Sequence, residues 1–192
     1  MNNHHERIIF LDHDDVICLQ SNWGSRAAKL RKYKKQVLPK DREDPPPVYY
    51  RFDHFDEKAV RTLNAILEST GAQIVVTSTW RSIATVDEMG EYYERYGIIR
   101  KPVDFTREME PVEPVDNKDS QRVYSMEYIR AVEILDYLSS HPEIKHWVAI
   151  DDLNLQKYPD AYIEHFVITD EPREGIKRIG VKERVLSFFP DI

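Results

Sequence analysis

Short, mostly apolar segments at intervals along the chain are the strongest structural signal in the sequence. Residues 8–11, 72–76 and 146–150 have the length and composition of strands that are buried on both faces of a parallel sheet. Residues 163–168 are a fourth candidate. Residues 101–120 are rich in Pro, Asp and Glu, and we expect them to form a surface loop.

Apolar positions at helical spacing separate these strand candidates. They predict helices over residues 56–71 and 126–138, and a closing helix over 181–189. Thr85 and Glu88 are spaced as a capping box, which predicts the start of another helix that ends near Gly97.

The alternation of strands and helices predicts an α/β fold with a central parallel sheet and helices on both faces, a three-layer Rossmann-like arrangement. We expect one domain over residues 1–192, with a small basic insertion at 19–55 after the first strand. Right-handed crossovers bring the carboxyl ends of the strands to one edge of the sheet, where such folds bind their ligands.

The composition, with 41% hydrophobic and 32% charged residues, is that of a soluble globular protein. The apolar segments are far shorter than the roughly 20 residues that a membrane-spanning helix needs. The first seven residues lack the apolar core of a secretory signal. Cys18 is the only cysteine, so an internal disulfide is excluded and a cytoplasmic location is expected.

The net charge of −7 conceals a basic segment. Residues 20–43 contain eight Lys or Arg and two acids, and residues 24–38 within them predict a basic helix. Two interpretations stay open for its charges at 26–35. They steer a polyanion to one face of the protein, or they form an ordinary solvated helix face.

Acidic residues follow two of the predicted strands. Asp12 and Asp14 come directly after the first, and Asp151 and Asp152 after the third. One carboxylate at such a position can attack phosphorus, and a second can transfer the proton. An oxygen-only ligand set of Asp12, Asp14, Asp151 and Asp152 suits Mg²⁺.

Hydroxyl and cationic side chains supply further candidates for phosphate binding. Thr77, Ser78 and Thr79 follow the second strand, close to the start of a helix, where backbone N–H groups favour an anion. A cation is needed to hold the nucleophile and the phosphate together. We expect Arg130 in this role, and Lys118 and Arg122 are the alternatives.

Trp80 and Arg81 come next in the chain, and each has two interpretations. In one interpretation Arg81 binds a substrate oxygen, and in the other it pairs with a local acid. Trp80 is expected either to stack on a base or to pack under the sheet. His13 lies between two aspartates in an extended segment, so its side chain should point away from them. The aromatic cluster at 49–55 covers the site or packs the insertion onto the body of the protein.

Three segments resemble the motifs of the haloacid dehalogenase (HAD) superfamily: IIFLDHDDVI, IVVTSTW and WVAIDD. The match extends to the HAD domain of Swiss Army Knife RNA repair proteins, on FDEKAVRTLNAILESTGAQIVVTSTWR, RAVEILDYL and HFVITD, followed by Gly175. The resemblance implies a Rossmann-like HAD fold, Mg²⁺ and phosphatase chemistry. It implies Asp12 as nucleophile, Asp14 as acid/base, Thr77 or Ser78 as phosphate ligand, and Asp151 with Asp152 at the metal.

Two positions depart from the family pattern. Asp15 stands where many relatives have Gly, and Arg130 stands where the cation is usually Lys. Arg cannot donate a proton at neutral pH, but an electrostatic role survives the change.

The expected activity is a Mg²⁺-dependent phosphohydrolase that acts on a nucleotide or on the terminal phosphate of a nucleic acid. Three alternatives stay open: a phosphatase of a small metabolite, a phospho-receiver or regulatory binding module, and a silent HAD domain that binds proteins. A receiver is disfavoured because no apolar strand ending in Asp lies between residues 20 and 70.

Overall fold

The computed structural model describes residues 6–109 and 125–189. Its centre is a sheet of five parallel strands in the order β3-β2-β1-β4-β5. The strands are β1 Arg7–Leu11, β2 Gln73–Val76, β3 Pro102–Phe105, β4 His146–Asp151 and β5 Phe166–Ile168. The predicted α/β fold with a central parallel sheet is confirmed.

Helices cover both faces of this sheet. They are α1 Ser25–Gln36, α2 Glu57–Thr70, α3 Val86–Arg95, α4 Met126–Ser140 and α5 Val181–Leu186. Buried residues of α2, α3 and α5 form one core cluster, and those of α4 belong to a second. None of the helices in the described part of the chain is both long and apolar enough to cross a membrane.

Strand β1 shows how the sequence separates the two cores. Ile9 and Leu11 belong to the cluster with α2, α3 and α5, whereas Ile8 and Phe10 belong to the cluster with α4. Successive side chains of a strand point to opposite faces, so a continuous apolar run is needed when both faces are covered. The apolar run after Arg7 therefore fixes β1 as the central strand.

Local capping explains where two of the helices begin and end. The carboxylate of Asp56 accepts hydrogen bonds from the N–H groups of Lys58 and Ala59 at the start of α2, and Gly71 closes the helix with a φ of 66°. The capping box predicted for α3 is present, with Thr85 and Glu88 bonded reciprocally.

Strand β3 corrects the prediction of a loop over residues 101–120. Residues 102–105 instead form the edge strand next to β2, and the remainder at 110–120 lies outside the described residues. Only Pro102 in this strand is buried, so the apolar signal of a parallel strand is missing. A proline at the first position is compatible with an edge strand, although it weakens the sequence signal.

The fourth predicted strand is shorter than expected. Strand β5 spans Phe166–Ile168, and Ile163 lies before it, where its N–H donates to the carbonyl of Leu155. Ile163 is nevertheless fully buried in the core on the α4 side. Its apolar character thus serves packing and not the sheet ladder.

Candidate active site

The two central strands bring the acidic motifs together. β1 pairs with β4, and the N–H of Asp12 extends this ladder by donating to the carbonyl of Ile150 at 3.1 Å. From β1 the chain proceeds to β2 and β3 on one side, and later to β4 and β5 on the other. In folds of this kind the ligand crevice lies at the carboxyl edge where the strand order reverses in this way. Asp12 and Asp151 lie at this edge.

Three carboxylates form the centre of the site. Asp12, Asp151 and Asp152 each offer an oxygen, and these atoms lie within 4.8 Å of one another. Asp12 and Asp151 are buried, with 4% and 1% of their surface exposed, while Asp152 is partly exposed. Burial and then the charge of Asp12 raise the pKa of Asp152 to about 6. Such close acidic groups fit a divalent cation, which would lower their mutual repulsion.

Arg130 bridges two of these carboxylates from α4. Its Nη1 lies 3.1 Å from Oδ1 of Asp12 and 2.6 Å from Oδ2 of Asp151. Burial disfavours the cation, but Asp151, Asp12 and Glu133 outweigh it and raise the pKa of Arg130. Arg130 therefore stays positively charged beside the carboxylates. The alternative cations, Lys118 and Arg122, lie outside the described residues.

Glu133 is a buried residue that the sequence interpretation missed. Its Oε2 lies 2.6 Å from Nη2 of Arg81 and 4.0 Å from Nε of Arg130, and its Oε1 accepts from the N–H of Met109 at 3.1 Å. Glu133 is one turn beyond Arg130 on α4, so an acid at i+3 from the expected cation was an available signal. Glu133 thus links α4 to the segments that carry Arg81 and Met109.

Arg81 is turned towards this buried acid. Besides Glu133, its Nη1 donates to the main-chain carbonyls of Thr77 and Ser78, the latter at 3.0 Å, and its side chain is only 6% exposed. Of the two interpretations of Arg81, pairing with a local acid is the one seen. The other interpretation, a contact between Arg81 and a substrate oxygen, stays a prediction.

The three hydroxyl residues after β2 differ in position. The N–H of Thr77 donates to the carbonyl of Leu11 at 3.0 Å, which places this buried residue beside Asp12 on the neighbouring strand. Ser78 is also buried, and its Oγ accepts from the N–H of Trp80. Thr79 is exposed. Thr77 is thus the hydroxyl residue that lies at the end of the strand next to β1.

The carboxylate of Asp14 is hydrogen-bonded to a tryptophan and lies outside the group of three carboxylates. The Nε1 of Trp80 donates to Oδ2 of Asp14 at 3.0 Å. Burial and then the charge of Asp12 raise the pKa of Asp14 to about 6, although the bond from Trp80 opposes the shift. Asp14, also expected as a metal ligand, is not part of the group formed by Asp12, Asp151 and Asp152, whose oxygens lie within 4.8 Å of one another.

The ring of Trp80 packs in the core. It is 8% exposed and lies parallel to Phe52 and Phe55, with ring centroids 4.6 and 5.4 Å away. The aromatic residues of the insertion thus pack onto the body, and Trp80 offers no open face to a base. His13 lies against the same cluster and shares a 2.7 Å hydrogen bond with the hydroxyl of Tyr93. Burial lowers the pKa of His13 to about 3.

The loop after Asp14 is braced by the C-terminal part of the chain. Gly175 has a φ of 51°, and a Cβ at this position would lie 2.4 Å from the carbonyl oxygen of Val16. The N–H of Ile176 donates to the same oxygen at 3.0 Å. A side chain at position 175 would therefore displace the loop that carries Asp12 and Asp14.

The basic segment divides into exposed and buried cations. Arg26, Arg31, Lys32, Lys34 and Lys35 are exposed, as a solvated or polyanion-binding face requires. Lys29 is 6% exposed, donates to the hydroxyl of Tyr92 at 3.2 Å and lies 4.4 Å from the ring centre of Tyr49. Lys29 is therefore not available to a polyanion, and this part of the prediction is wrong.

Comparison with known proteins gives one family match, to the HAD domain in Swiss Army Knife RNA repair proteins, over residues 8–179. No curated protein and no solved structure shows a significant match. The matched range contains β1 from its second residue onward, the other four strands and every acidic residue of the site. With its parallel sheet and its family match, the chain belongs to the HAD domains of Swiss Army Knife RNA repair proteins, a family that indicates a phosphatase-type function.

Proposed function

We propose that this protein is a Mg²⁺-dependent phosphatase that works through an aspartyl-phosphate at Asp12. The observation that carries the proposal is the cluster of Asp12, Asp151 and Asp152, whose carboxylate oxygens lie within 4.8 Å, with Arg130 bonded to two of them. Family membership supports the reaction class.

The donor set suits Mg²⁺. Carboxylate oxygens are hard ligands, and no His or Cys belongs to the group found among the described residues. When bound, the cation would offset charge on the phosphoryl oxygens and orient the ester. HAD domains typically use Mg²⁺, which supports the same assignment.

In the first step, a carboxylate oxygen of Asp12 attacks the phosphorus atom, and the bond from phosphorus to the ester oxygen breaks. Asp14, in its acid form, gives its proton to the departing oxygen, which leaves as an alcohol. The indole N–H of Trp80 supports this assignment because it orients the carboxyl group of Asp14.

In the second step, a water molecule attacks the phosphorus of the aspartyl-phosphate. Asp14, now a carboxylate, takes the proton of that water, and the bond between Asp12 and phosphorus breaks. Inorganic phosphate leaves, and both aspartates return to their starting states.

Arg130 and the residues after β2 are proposed to hold the phosphoryl group. Arg130 already lies 3.1 Å from the nucleophile, so its charge can act on the phosphate that Asp12 receives. Thr77 is proposed to donate its hydroxyl, with Ser78 and Thr79 contributing from the turn that follows. Lys118 remains a proposed further phosphate ligand.

The proposed substrate is a nucleotide or the terminal phosphate of a nucleic acid. The family is named for RNA repair proteins, which supports a nucleic-acid end. The insertion at 19–55 is proposed to act as a small cap, too short to enclose the crevice. A bulky substrate is compatible with a site of this kind.

The test is phosphate release from a panel of mononucleotides, sugar phosphates, and oligonucleotides phosphorylated at the 5′ or the 3′ end, with Mg²⁺ present. Preferred turnover of one class of oligonucleotide end over sugar phosphates would support the proposal. Equal or better turnover of sugar phosphates would favour a metabolite phosphatase. No release from any ester would favour a binding module.

A further inference from the structure

A basic groove lies between the first half of α2 and the turn that leads into α5. It forms an open cavity of about 800 Å³ that continues into a second one of about 710 Å³, since Lys58, Arg61 and Lys177 line both. We call it the α2 groove and define it by Lys58, Arg61, Lys177, Ile179 and Lys182. The groove contains no residue of the basic segment at 26–35 and none of the acidic, hydroxyl or cationic residues predicted for the active site.

The α2 groove lies at the same edge of the sheet as the acidic residues. α2 connects the parallel strands β1 and β2, so its first turns must lie at the carboxyl edge. Lys177 follows Ile176, which is bonded to Val16 in the loop after Asp14. The second cavity reaches Asn22, a few residues beyond that loop. A chain that occupies the groove is thus led to the loop of the proposed active site.

Positive charge dominates the groove, although the protein as a whole has a net charge of −7. Six Lys or Arg line the two cavities, against three acids. Lys58 and Lys182 form no ion pair within the parts of the chain that the structure describes. Arg61 lies 3.9 Å from Glu57, beyond hydrogen-bond distance. Lys177 and Arg178 are paired with Asp56 and Asp170. Lys58, Arg61 and Lys182 are therefore the cations available to an anion, and their concentration in one groove favours a polyanion.

An apolar side chain stands among these cations. Ile179 is 100% exposed, between Arg178 and Gly180 in the chain, and it lines the larger cavity. A single-stranded nucleic acid presents flat apolar bases next to its phosphates, and it binds to grooves that combine cations with side chains, usually aromatic, that contact the bases. Ile179 offers an aliphatic contact to a base beside phosphates at Lys58 and Lys182.

We propose that the α2 groove binds the backbone of a single-stranded nucleic acid and leads its phosphorylated end to the crevice. Hydrolysis of the phosphate at that end rests on the proposed phosphatase function, whereas binding in the groove does not. The competing basic surface is on α1, where Arg31, Lys32 and Lys35 line a cavity formed by that helix alone. That surface has no second wall, so we expect it to contribute little.

The experiment measures binding without turnover. Fluorescence anisotropy follows a labelled single-stranded oligonucleotide of about 15 residues, with no terminal phosphate and with chelator present. The groove variant is Lys58→Glu, Arg61→Glu and Lys182→Glu. The matched control is Arg31→Glu, Lys32→Glu and Lys35→Glu, which has the same net charge. Lys58 and Lys182 are in the first turns of their helices, where a new acid is favourable, so the groove variant should fold.

The groove variant should bind the oligonucleotide at least about tenfold more weakly at low salt. A plot of log affinity against log salt concentration should have a slope that is shallower by about 2, since the variant loses three cations and each phosphate contact contributes about 0.7. Ile179→Ala should weaken binding without changing that slope. The α1 control should bind as the unaltered protein does.

Unchanged binding by the groove variant, or an equal loss in the α1 control, would overturn the proposal. So would displacement of the oligonucleotide by polyglutamate of equal charge, because the groove would then recognise charge alone. If binding follows the groove and no phosphorylated oligonucleotide is hydrolysed, the proposed phosphatase function fails while the groove assignment stands.

Discussion

The indole nitrogen of Trp80 donates a 3.0 Å hydrogen bond to the Oδ2 of Asp14. Both residues follow the ends of neighbouring strands, β2 and β1, so the sheet itself sets their separation. The ring is fixed by parallel packing on Phe52 and Phe55. The proposed acid/base residue is thus oriented by the same aromatic cluster that anchors the insertion.

Replacement of Trp80 by Phe should keep most of this stacking and remove the donor. We expect kcat to fall by about tenfold, a smaller loss than the roughly 10²–10⁴-fold one expected for Asp14→Asn, since acid/base chemistry survives in a less oriented form. Steady-state kinetics on the best ester from the panel would measure both. A Trp80→Phe enzyme as impaired as Asp14→Asn would mean that Trp80 does more than orient the acid.

Asp12→Asn should abolish turnover, by about four orders of magnitude or more, because it removes the proposed nucleophile. The variant should still unfold cooperatively, since it also removes one of the acids that crowd the site. Phosphate release and thermal unfolding would be followed on the same preparation. Residual activity close to that of the unaltered protein would exclude an aspartyl-phosphate at Asp12.

Mg²⁺ should raise the thermal midpoint, because a ligand that binds only the folded state stabilises it, by about 2.7 kcal/mol at a concentration of 100 times Kd. Asp152→Asn should remove most of this shift, and excess chelator should stop turnover. The control is Asp41→Asn, an equal change of charge at an exposed residue of the insertion. An equal shift in both variants would place the cation elsewhere.

The buried pair of Arg81 and Glu133 should be strongly coupled in stability. Arg81→Met or Glu133→Gln alone should destabilise the fold by about 3 kcal/mol, since each leaves a buried charge without its nearest opposite charge. The double variant should lose much less than the sum, as measured by denaturant unfolding. The exposed pair of Asp170 and Arg178 is the comparison, with an expected coupling of at most about 1 kcal/mol. Additive losses for the buried pair would contradict this view of the network.

Because of Lys29, the free energy of unfolding should rise as pH increases from 7 to 9. Burial lowers its pKa from 10.5 to about 8, an effect that Asp53 opposes and Arg95 increases. Below pH 8 the lysine is charged in both states. Above it, the folded state releases the proton while the unfolded chain keeps it, so the free energy of unfolding rises.

Replacement of Lys29 by Met should remove this contribution, whereas Lys32→Met on the exposed face of the same helix should retain it. Urea midpoints at pH 7, 8 and 9 would be compared among the three proteins. The comparison among variants matters because the buried tyrosines Tyr92 and Tyr93 have raised pKa values and act in the opposite direction at higher pH. Parallel curves for the unaltered protein and Lys29→Met would contradict the assignment.

The sequence predicted the parts of the fold that are set by apolar patterning and by capping chemistry. β1, β2 and β4 are buried on both faces, so their signal is strong, and α3 begins at the capping box that Thr85 and Glu88 predict. The sequence does not predict β3, because it is an edge strand with only one buried residue and therefore has no apolar pattern. Pairing with the neighbouring strand makes this segment a strand.

Candidate site residues that follow a strand were readily found, while their tertiary partners were not. Glu133 lies in the middle of a helix, and its spacing of i+3 from Arg130 is the local feature that separates it from a surface acid. The sequence also does not reveal that Lys29 is buried, because Tyr49 and Tyr92, which pack against it, come from two other segments. The α2 groove joins α2 to residues more than a hundred positions later, which spacing along the chain cannot reveal.

The chain of alternating charges through Arg81, Glu133, Arg130, Asp151 and Asp12 has a consequence for the order in which the protein assembles. These groups come from four stretches that span most of the sequence, and each loses its water only when partners from other stretches arrive. Removing water from any of them alone is strongly unfavourable. We therefore expect helix α4 to lose its water against the sheet only after β1, β2 and β4 are in register. In a chain with a misregistered strand, we expect water to remain at these charges.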